Sequence, residues 1–306
     1  MRICLENNMA DKKLFGWKPN PKAVDEILSQ LAHPLFGPAA SDIRDSGKGK
    51  IVLLYEFIVK AIGSYNVRSQ KIGDCVSMGA ARAVDILRAT QAVNAEGQWI
   101  AETCTEAIYA LSRVEVGNGR LGRGDGSYGA WAAKAVKDYG TLVRIKYDSH
   151  DLTKYSGDRA RSWGMPRAGL PDVLEPTARQ YPVRTVSLVT TWEQLRDAIA
   201  SGYPVTIASN RGFNTTRDKD GFLKPKGNWA HQMCVVGIDD TKRPGACVCN
   251  SWGRNWVDGP KTHNQPDGTF WCDANVMERD ILRQEDSWAF SEYKGFPPKK
   301  LDLRIV

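Results

Sequence analysis

Gln70-Lys-Ile-Gly-Asp-Cys75-Val-Ser-Met-Gly-Ala-Ala-Arg-Ala-Val-Asp-Ile-Leu87-Arg88 is the stretch on which the reading of this 306-residue chain turns. From Cys75 onward Val76, Ala80, Ala81, Val84 and Leu87 recur at helical spacing, and no Gly or Pro follows Gly79, so a buried helix is predicted. Gly73 and Asp74 read as a turn and an N-cap, which makes Cys75 the first helical residue. Unpaired N–H groups and the positive end of the helix dipole favour a thiolate there, and the thiolate is the reactive form of cysteine. Most buried cysteines are inert packing groups. A nucleophile also needs a base, a group to orient that base, and donors for an oxyanion, and these must come from elsewhere in the chain.

The whole chain bounds the search. Apolar residues make up 42% and charged residues 25%, which is ordinary for a globular protein, and ten tryptophans argue against disorder. The net charge of +7 is spread along the chain, with only Pro297-Pro-Lys-Lys300 as a short basic run, so nucleic-acid binding has no support. Seven cysteines, at 4, 75, 104, 234, 247, 249 and 272, show no Cys-x-x-Cys pair and no zinc-type ladder, which predicts free thiols and a reducing compartment. A metal site from Cys247, Cys249 and His263 is the weakest option, because Cys-x-Cys supplies no second pair. No metal or organic cofactor is expected. The first residues lack the apolar core of a signal peptide, no 18-residue apolar span exists, and Met9 offers a second start that would leave residues 1–8 dispensable. The expected location is cytoplasmic or virion-associated, without membrane contact.

In order, residues 1–50 read as an N-terminal arm, too small for a core of its own, that wraps the main domain or binds a protein partner. Residues 51–165 read as mainly helical: a helix over 50–62 with Glu56 and Lys60 able to pair, the Cys75 helix, a helix over Glu102–Arg113, the glycine-rich loop Gly117–Gly129, and a helix over Trp131–Tyr139. Residues 149–180 look irregular. Residues 166–285 turn to β, with strands at Val183–Val189, Pro204–Ala208, Met233–Ile238, Ala246–Asn250 and Thr269–Cys272. Thr191-Trp-Glu-Gln194 is a capping-box pattern that opens the single helix of this half. Residues 286–306 read as a tail.

Of four histidines, only His231 opens an apolar strand, Met233-Cys-Val-Val-Gly-Ile238, which turns at Asp239–Gly245 and returns as Ala246-Cys-Val-Cys-Asn250. Antiparallel pairing about that turn brings His231 opposite Asn250, whose amide can hold the imidazole in one orientation.

Gln70…Gly-Asp-Cys75 opening a helix, His231 opening a strand, and Asn250-Ser-Trp-Gly-Arg-Asn-Trp256 together resemble the papain-type cysteine peptidases, over about residues 64–280. His231 and Asn250 lie 156 and 175 residues after Cys75, near or above the roughly 130–150 usual in that family. The resemblance implies an α+β, two-lobed papain-like fold, with a helical lobe, an antiparallel β lobe and the cleft between them. It implies Cys75 as nucleophile, His231 as base and later acid, Asn250 as its orienter, and Gln70 with the Cys75 N–H as the oxyanion hole. Trp252 would cover the Asn250–His231 contact, and Gly126 and Ser127 would line the substrate cleft. Ser127, with Trp229 and Ala230 just before His231, predicts a modest apolar pocket. The implied activity is hydrolysis of peptide or isopeptide bonds in a peptide or protein substrate.

There are departures. Gln70 stands five residues before Cys75 where plant and lysosomal relatives usually have six, and Val76 stands where they carry Trp. Ile72 and Gly124 stand where disulfide partners would be, and the family's long inhibitory propeptide pattern is missing. These departures, the arm and the basic balance loosely resemble proteins of bacteriophage particles and their host genomes. The rival reading is therefore a papain-fold structural or binding protein with a weak or idle site. A hydrolase or transferase acting on other amides is a further rival, without the wall-binding repeats that a wall hydrolase would bring.

Overall fold

A computed structural model describes residues 14–299 and 301, so Cys4, Met9 and the expectation for residues 1–8 lie outside it. The Asn20 side chain accepts from Ala23 N and opens α1 (Pro21–Leu28), with proline at the first helical position where its missing N–H is harmless. After α2 (Phe36–Ala39) comes β1 (Ile51–Val52), so the helix expected over 50–62 begins only at α3 (Tyr55–Ile62). The left-handed Gly63 (φ 76°) ends it, donating to the Val59 carbonyl.

The helical lobe holds α4 (Cys75–Val93), α5 (Thr105–Leu111), which runs into a π turn at 112–116, and α6 (Gly129–Asp138). The hairpin β2 (Lys146–Tyr147) and β3 (His150–Asp151) follows, then α7 (Gly157–Trp163) and α8 (Glu175–Ala178) in the region expected to be irregular. Ala107, Leu111, Leu142, Leu170, Leu174 and Ala178 share one apolar cluster, so residues 170–178 pack with the helical lobe despite the boundary expected at 165.

The β lobe runs β4 (Thr185–Leu188), α9 (Trp192–Ala200), β5 (Val205–Phe213), β6 (Pro225–Asp239), β7 (Gly245–Cys249), β8 (Thr269–Asp273), α10 (Ala274–Val276) and β9 (Trp288–Ser291). Thr191 caps α9 as its sequence predicts, its hydroxyl accepting from Gln194 N. The sheet order is β4-β9-β5-β6-β7-β8, with β1 added to β6, and every pairing in it is antiparallel. Trp288–Ser291 are therefore a sheet strand, where residues 286–306 were expected to be a tail, and Ile51–Val52 belong to the β lobe.

The arm folds back onto its own chain. Trp17, Val24, Ile27, Phe36 and Ile43 are buried in the main core, and Phe36 packs on Phe296 from the far end of the sequence. Of the two uses expected for the arm, the described residues show the wrap. Helix α4 crosses the start of the buried half of β6: a Cβ on Gly79 would lie 3.2 Å from the Met233 carbonyl oxygen. That close approach sets Cys75, at the mouth of α4, beside His231.

Candidate active site

The hairpin β6–β7 places Cys234 opposite Cys249, and just beyond them His231 Nε2 lies 2.7 Å from Asn250 Oδ1. The same oxygen accepts the Ser251 backbone N–H at 2.6 Å. A backbone N–H can only donate, so the amide atom it meets is oxygen, and Nε2 must carry the imidazole proton. Nδ1 is then the nitrogen with the lone pair, and it is buried without a hydrogen-bond partner. The Trp252 ring lies over this pair, 4.6 Å from the His231 ring, and meets Trp229 and Trp256 edge-on. Burial pushes the imidazole down to about 4, against the Asn250 hydrogen bond, which raises it.

Cys75 is the first residue of α4 and is fully buried. Its Sγ accepts the N–H of Gln232, the residue after His231, at 3.4 Å. Burial pushes the thiol up to about 12, although the N–H groups of Gln232, Gly16 and Trp17 pull the other way. Asp74 does not cap α4 with its side chain as expected. Its Oδ2 accepts from Tyr155 instead, its Oδ1 is buried without a partner, and burial raises its pKa to about 8. Its carbonyl accepts the first main-chain bonds of the helix, from the Ser77 and Met78 N–H groups. Gln70 is buried; its Oε1 accepts from Ser251 Oγ at 2.6 Å, and its Nε2 donates to Ile72 O at 2.8 Å and to Leu14 O at 3.3 Å.

That last contact belongs to a feature the sequence did not disclose: residues 14–18 lie through the cleft as a strap. The Leu14 carbonyl accepts from Gln70 and from Trp252 Nε1. The Phe15 ring stands edge-on to His231 and Trp252. Gly16 and Trp17 both donate to the Ala230 carbonyl at 3.2 Å, Ser127 N donates to Gly16 O at 2.8 Å, and Lys18 N donates to Ser127 O at 3.0 Å. Gly16 has to be glycine, because a Cβ there would sit 1.9 Å from the Gly73 carbonyl oxygen. Trp17, only 3% exposed, fills a pocket and donates its indole N–H to Asp286 Oδ2 at 2.7 Å. Asp286 also accepts from Gly129 N and Trp288 Nε1, yet burial raises its pKa to about 6. The Trp17 indole is thus seated on a buried carboxyl.

All eight candidate residues converge on one place. Cys75, His231, Asn250 and Gln70 form the centre. Ala230, Ser127 and Trp252 hold the strap directly, and Gly126 lies against it, with no room for a Cβ beside the Gly16 carbonyl oxygen (2.6 Å). Sequence reasoning missed Asp286, the Gln232 N–H and the strap itself. The one available signal was the Phe-Gly-Trp run at 15–17, an aromatic pair around a glycine that follows the polar Asp11-Lys-Lys13. Cys247 and Cys249 are buried without a disulfide and His263 Nε2 lies 3.0 Å from Asp239, and the described residues hold no group of three potential metal ligands. No described helix is long and apolar enough to cross a membrane.

No family model and no curated protein matches the chain. Solved structures do. Xylellain, a cysteine protease from Xylella fastidiosa, superposes with a TM-score of 0.54 at 18% identity, covering 90% of this chain and 91% of its own. Procathepsin B S9 from Trypanosoma congolense superposes with the same TM-score of 0.54 at 12% identity, covering 94% and 87%. Identities this low speak for the fold alone. Both neighbours are papain-like cysteine proteases, and the α+β fold expected from the Cys75, His231 and Asn250 stretches, the papain-like one, is the fold of this chain.

Proposed function

We propose that the protein is a cysteine peptidase of the papain-like kind, and that the described form is its closed state. One observation carries the reading: the Ser251 N–H and His231 Nε2 share Asn250 Oδ1, which leaves the Nδ1 lone pair free on the residue before Gln232, whose N–H meets the Cys75 thiol at a helix start. Once the strap withdraws, Nδ1 takes the Cys75 proton and Sγ attacks the carbonyl carbon of a peptide or isopeptide bond. The C–N bond then breaks, the departing amine takes the proton from His231, and water hydrolyses the thioester. Gln70 Nε2 and the Cys75 N–H are the proposed oxyanion donors. Despite its five-residue spacing Gln70 reaches into the cleft, since its Nε2 already meets a carbonyl oxygen, that of Leu14. Gly126, Ser127 and Ala230 would hold a substrate backbone where they now hold the strap, and the Trp17 pocket would take a substrate side chain. The six described cysteines are all free thiols, which supports a reducing compartment.

The strap also favours a second reading, a binding or structural protein whose cleft is permanently filled. Labelling of the intact chain with an epoxide cysteine-peptidase probe, read by intact mass, separates the two. One adduct on wild type or on Trp17→Ala, absent in Cys75→Ala and slowed in His231→Ala, supports the peptidase. No adduct on a folded, reduced Trp17→Ala chain supports the filled cleft.

A further inference from the structure

About 20 Å along α4 from Cys75, at 1.5 Å per residue, the helix borders a second cavity that the proposed chemistry does not use. It has a volume of about 310 Å³ and is lined by Arg88, Gln91, Ile100, Ile145, Tyr147 and Tyr181, among others. This volume is at the small end of ligand sites, which run to roughly 300–1,000 Å³. Its walls are mainly apolar. Ile100 and Tyr181, 61% and 52% exposed, are two of the seven large apolar side chains left exposed among the described residues, so no described residue covers its mouth.

The polar feature of this cavity is a cation without an anion. Arg88 donates through Nη1 to Thr103 Oγ1 at 3.2 Å and through Nη2 to Thr141 Oγ1 at 2.7 Å, both uncharged. These bonds use two of the five guanidinium N–H donors. No described Asp or Glu forms an ion pair with it. The nearest acid on its own helix, Asp85, is already committed to Arg68 at 2.5 Å, Arg82 at 3.7 Å and the Thr103 N–H at 2.8 Å. Burial lowers the pKa of Arg88, with only a partial counter-effect from Asp85 and the Tyr147 and Tyr181 phenols. A half-buried guanidinium with spare donors in an apolar cavity is complementary to a planar anion that brings its own hydrocarbon.

We infer that this cavity binds a small monocarboxylate with an apolar body, the carboxylate on Arg88 and the hydrocarbon against Ile100, Ile145 and Tyr181. Its distance of about 20 Å from Cys75 along α4 makes it a separate site from the cleft, and its occupancy does not depend on peptide hydrolysis.

Titration calorimetry on the full chain tests this with decanoate, kept below its micelle concentration, and with decanol as the uncharged match. Decanoate is expected to saturate one site, and both decanol in place of decanoate and Arg88→Gln are expected to weaken binding at least tenfold. Equal binding of the two probes, decanoate binding unchanged in Arg88→Gln, or no binding of decanoate to wild type each overturns the inference. If Arg88→Gln fails to fold because the Thr103 and Thr141 bonds are lost, Ile100→Asp serves instead. It sets a carboxylate at an exposed rim position and is expected to repel decanoate at least tenfold, and undiminished binding there overturns the inference equally.

Discussion

Cys75 and Cys104 each stand at the start of a helix. Cys75 is the first residue of α4 and Cys104 is the N-cap of α5; both are fully buried, and burial pushes both thiols up to about 12. The field at a helix start contributes about 0.3–1 kcal/mol, less than one pKa unit at about 1.36 kcal/mol per unit. It cannot outweigh an upward shift from 9 to about 12. The helix start alone therefore activates neither thiol. What separates them is the neighbourhood. A carboxylate disfavours a thiolate at each, Glu106 at Cys104, where Arg144 partly offsets it, and Asp74 at Cys75; but Cys75 Sγ also accepts the N–H of Gln232, the residue after His231, whose neutral imidazole keeps a free lone pair. The cover differs as well. Cys104 is enclosed by the helical lobe, but Cys75 is closed over by five residues of an arm held mainly by hydrogen bonds and one indole.

The largest expected difference is in hydrolysis. Cys75→Ala should abolish peptide turnover, by about 10⁴–10⁶-fold, while Cys104→Ala should keep turnover within about threefold of wild type, a change within the scatter expected of a core substitution. Equal loss in both variants, with both folded, would break the comparison.

Next in size is access. Trp17→Ala removes the indole that anchors the strap to Asp286. If exposure lowers the Cys75 pKa by two units, its thiolate fraction at pH 7 rises about a hundredfold. Iodoacetamide labelling followed by peptide mass mapping should show that rise at Cys75 and none at Cys104.

The pH profile sharpens the same point. With a thiol at about 12 the wild-type Cys75 labelling rate should climb about tenfold per pH unit from pH 7 to 10 without a plateau. In Trp17→Ala, with the thiol two units lower, the climb should begin to flatten only at the top of that range, near pH 10. A plateau already present in wild type would mean that the strap does not bury the thiol in solution.

The smallest effect is on stability. The Asp286 pKa is raised from 3.8 to about 6, so the folded state holds its proton more tightly than the unfolded chain does. The stability it contributes is full below about pH 4 and is lost as pH rises to about 6. Urea unfolding of wild type and Asp286→Asn should show the wild type losing about 1–3 kcal/mol relative to the variant between pH 4 and 6.5. A pH-independent difference would mean that Asp286 is not buried as a carboxyl under the strap.

Much of this was legible in advance. The α4 periodicity, the His231–Asn250 register and the Thr191 cap are set by neighbours within a turn or across one tight hairpin, and local chemistry predicts such features. The lobe boundaries were read less well. Leu170–Ala178 find their apolar partners in Ala107 and Leu142, and Trp288–Ser291 complete a sheet beside Thr185–Leu188, contacts that no local pattern announces. Asp286 was illegible for the same reason, lying 269 residues from the indole it holds.

The order of residues along the chain was thus enough to bring Cys75, His231 and Asn250 together, because helix and hairpin periodicities carry them to one place. The state of that thiol was decided by tertiary structure alone. Its ionisation depends on what buries it, and the burial comes from Leu14–Lys18 laid across the cleft and pinned to Ala230, Ser127 and Asp286, a packing of distant segments that sequence spacing does not encode.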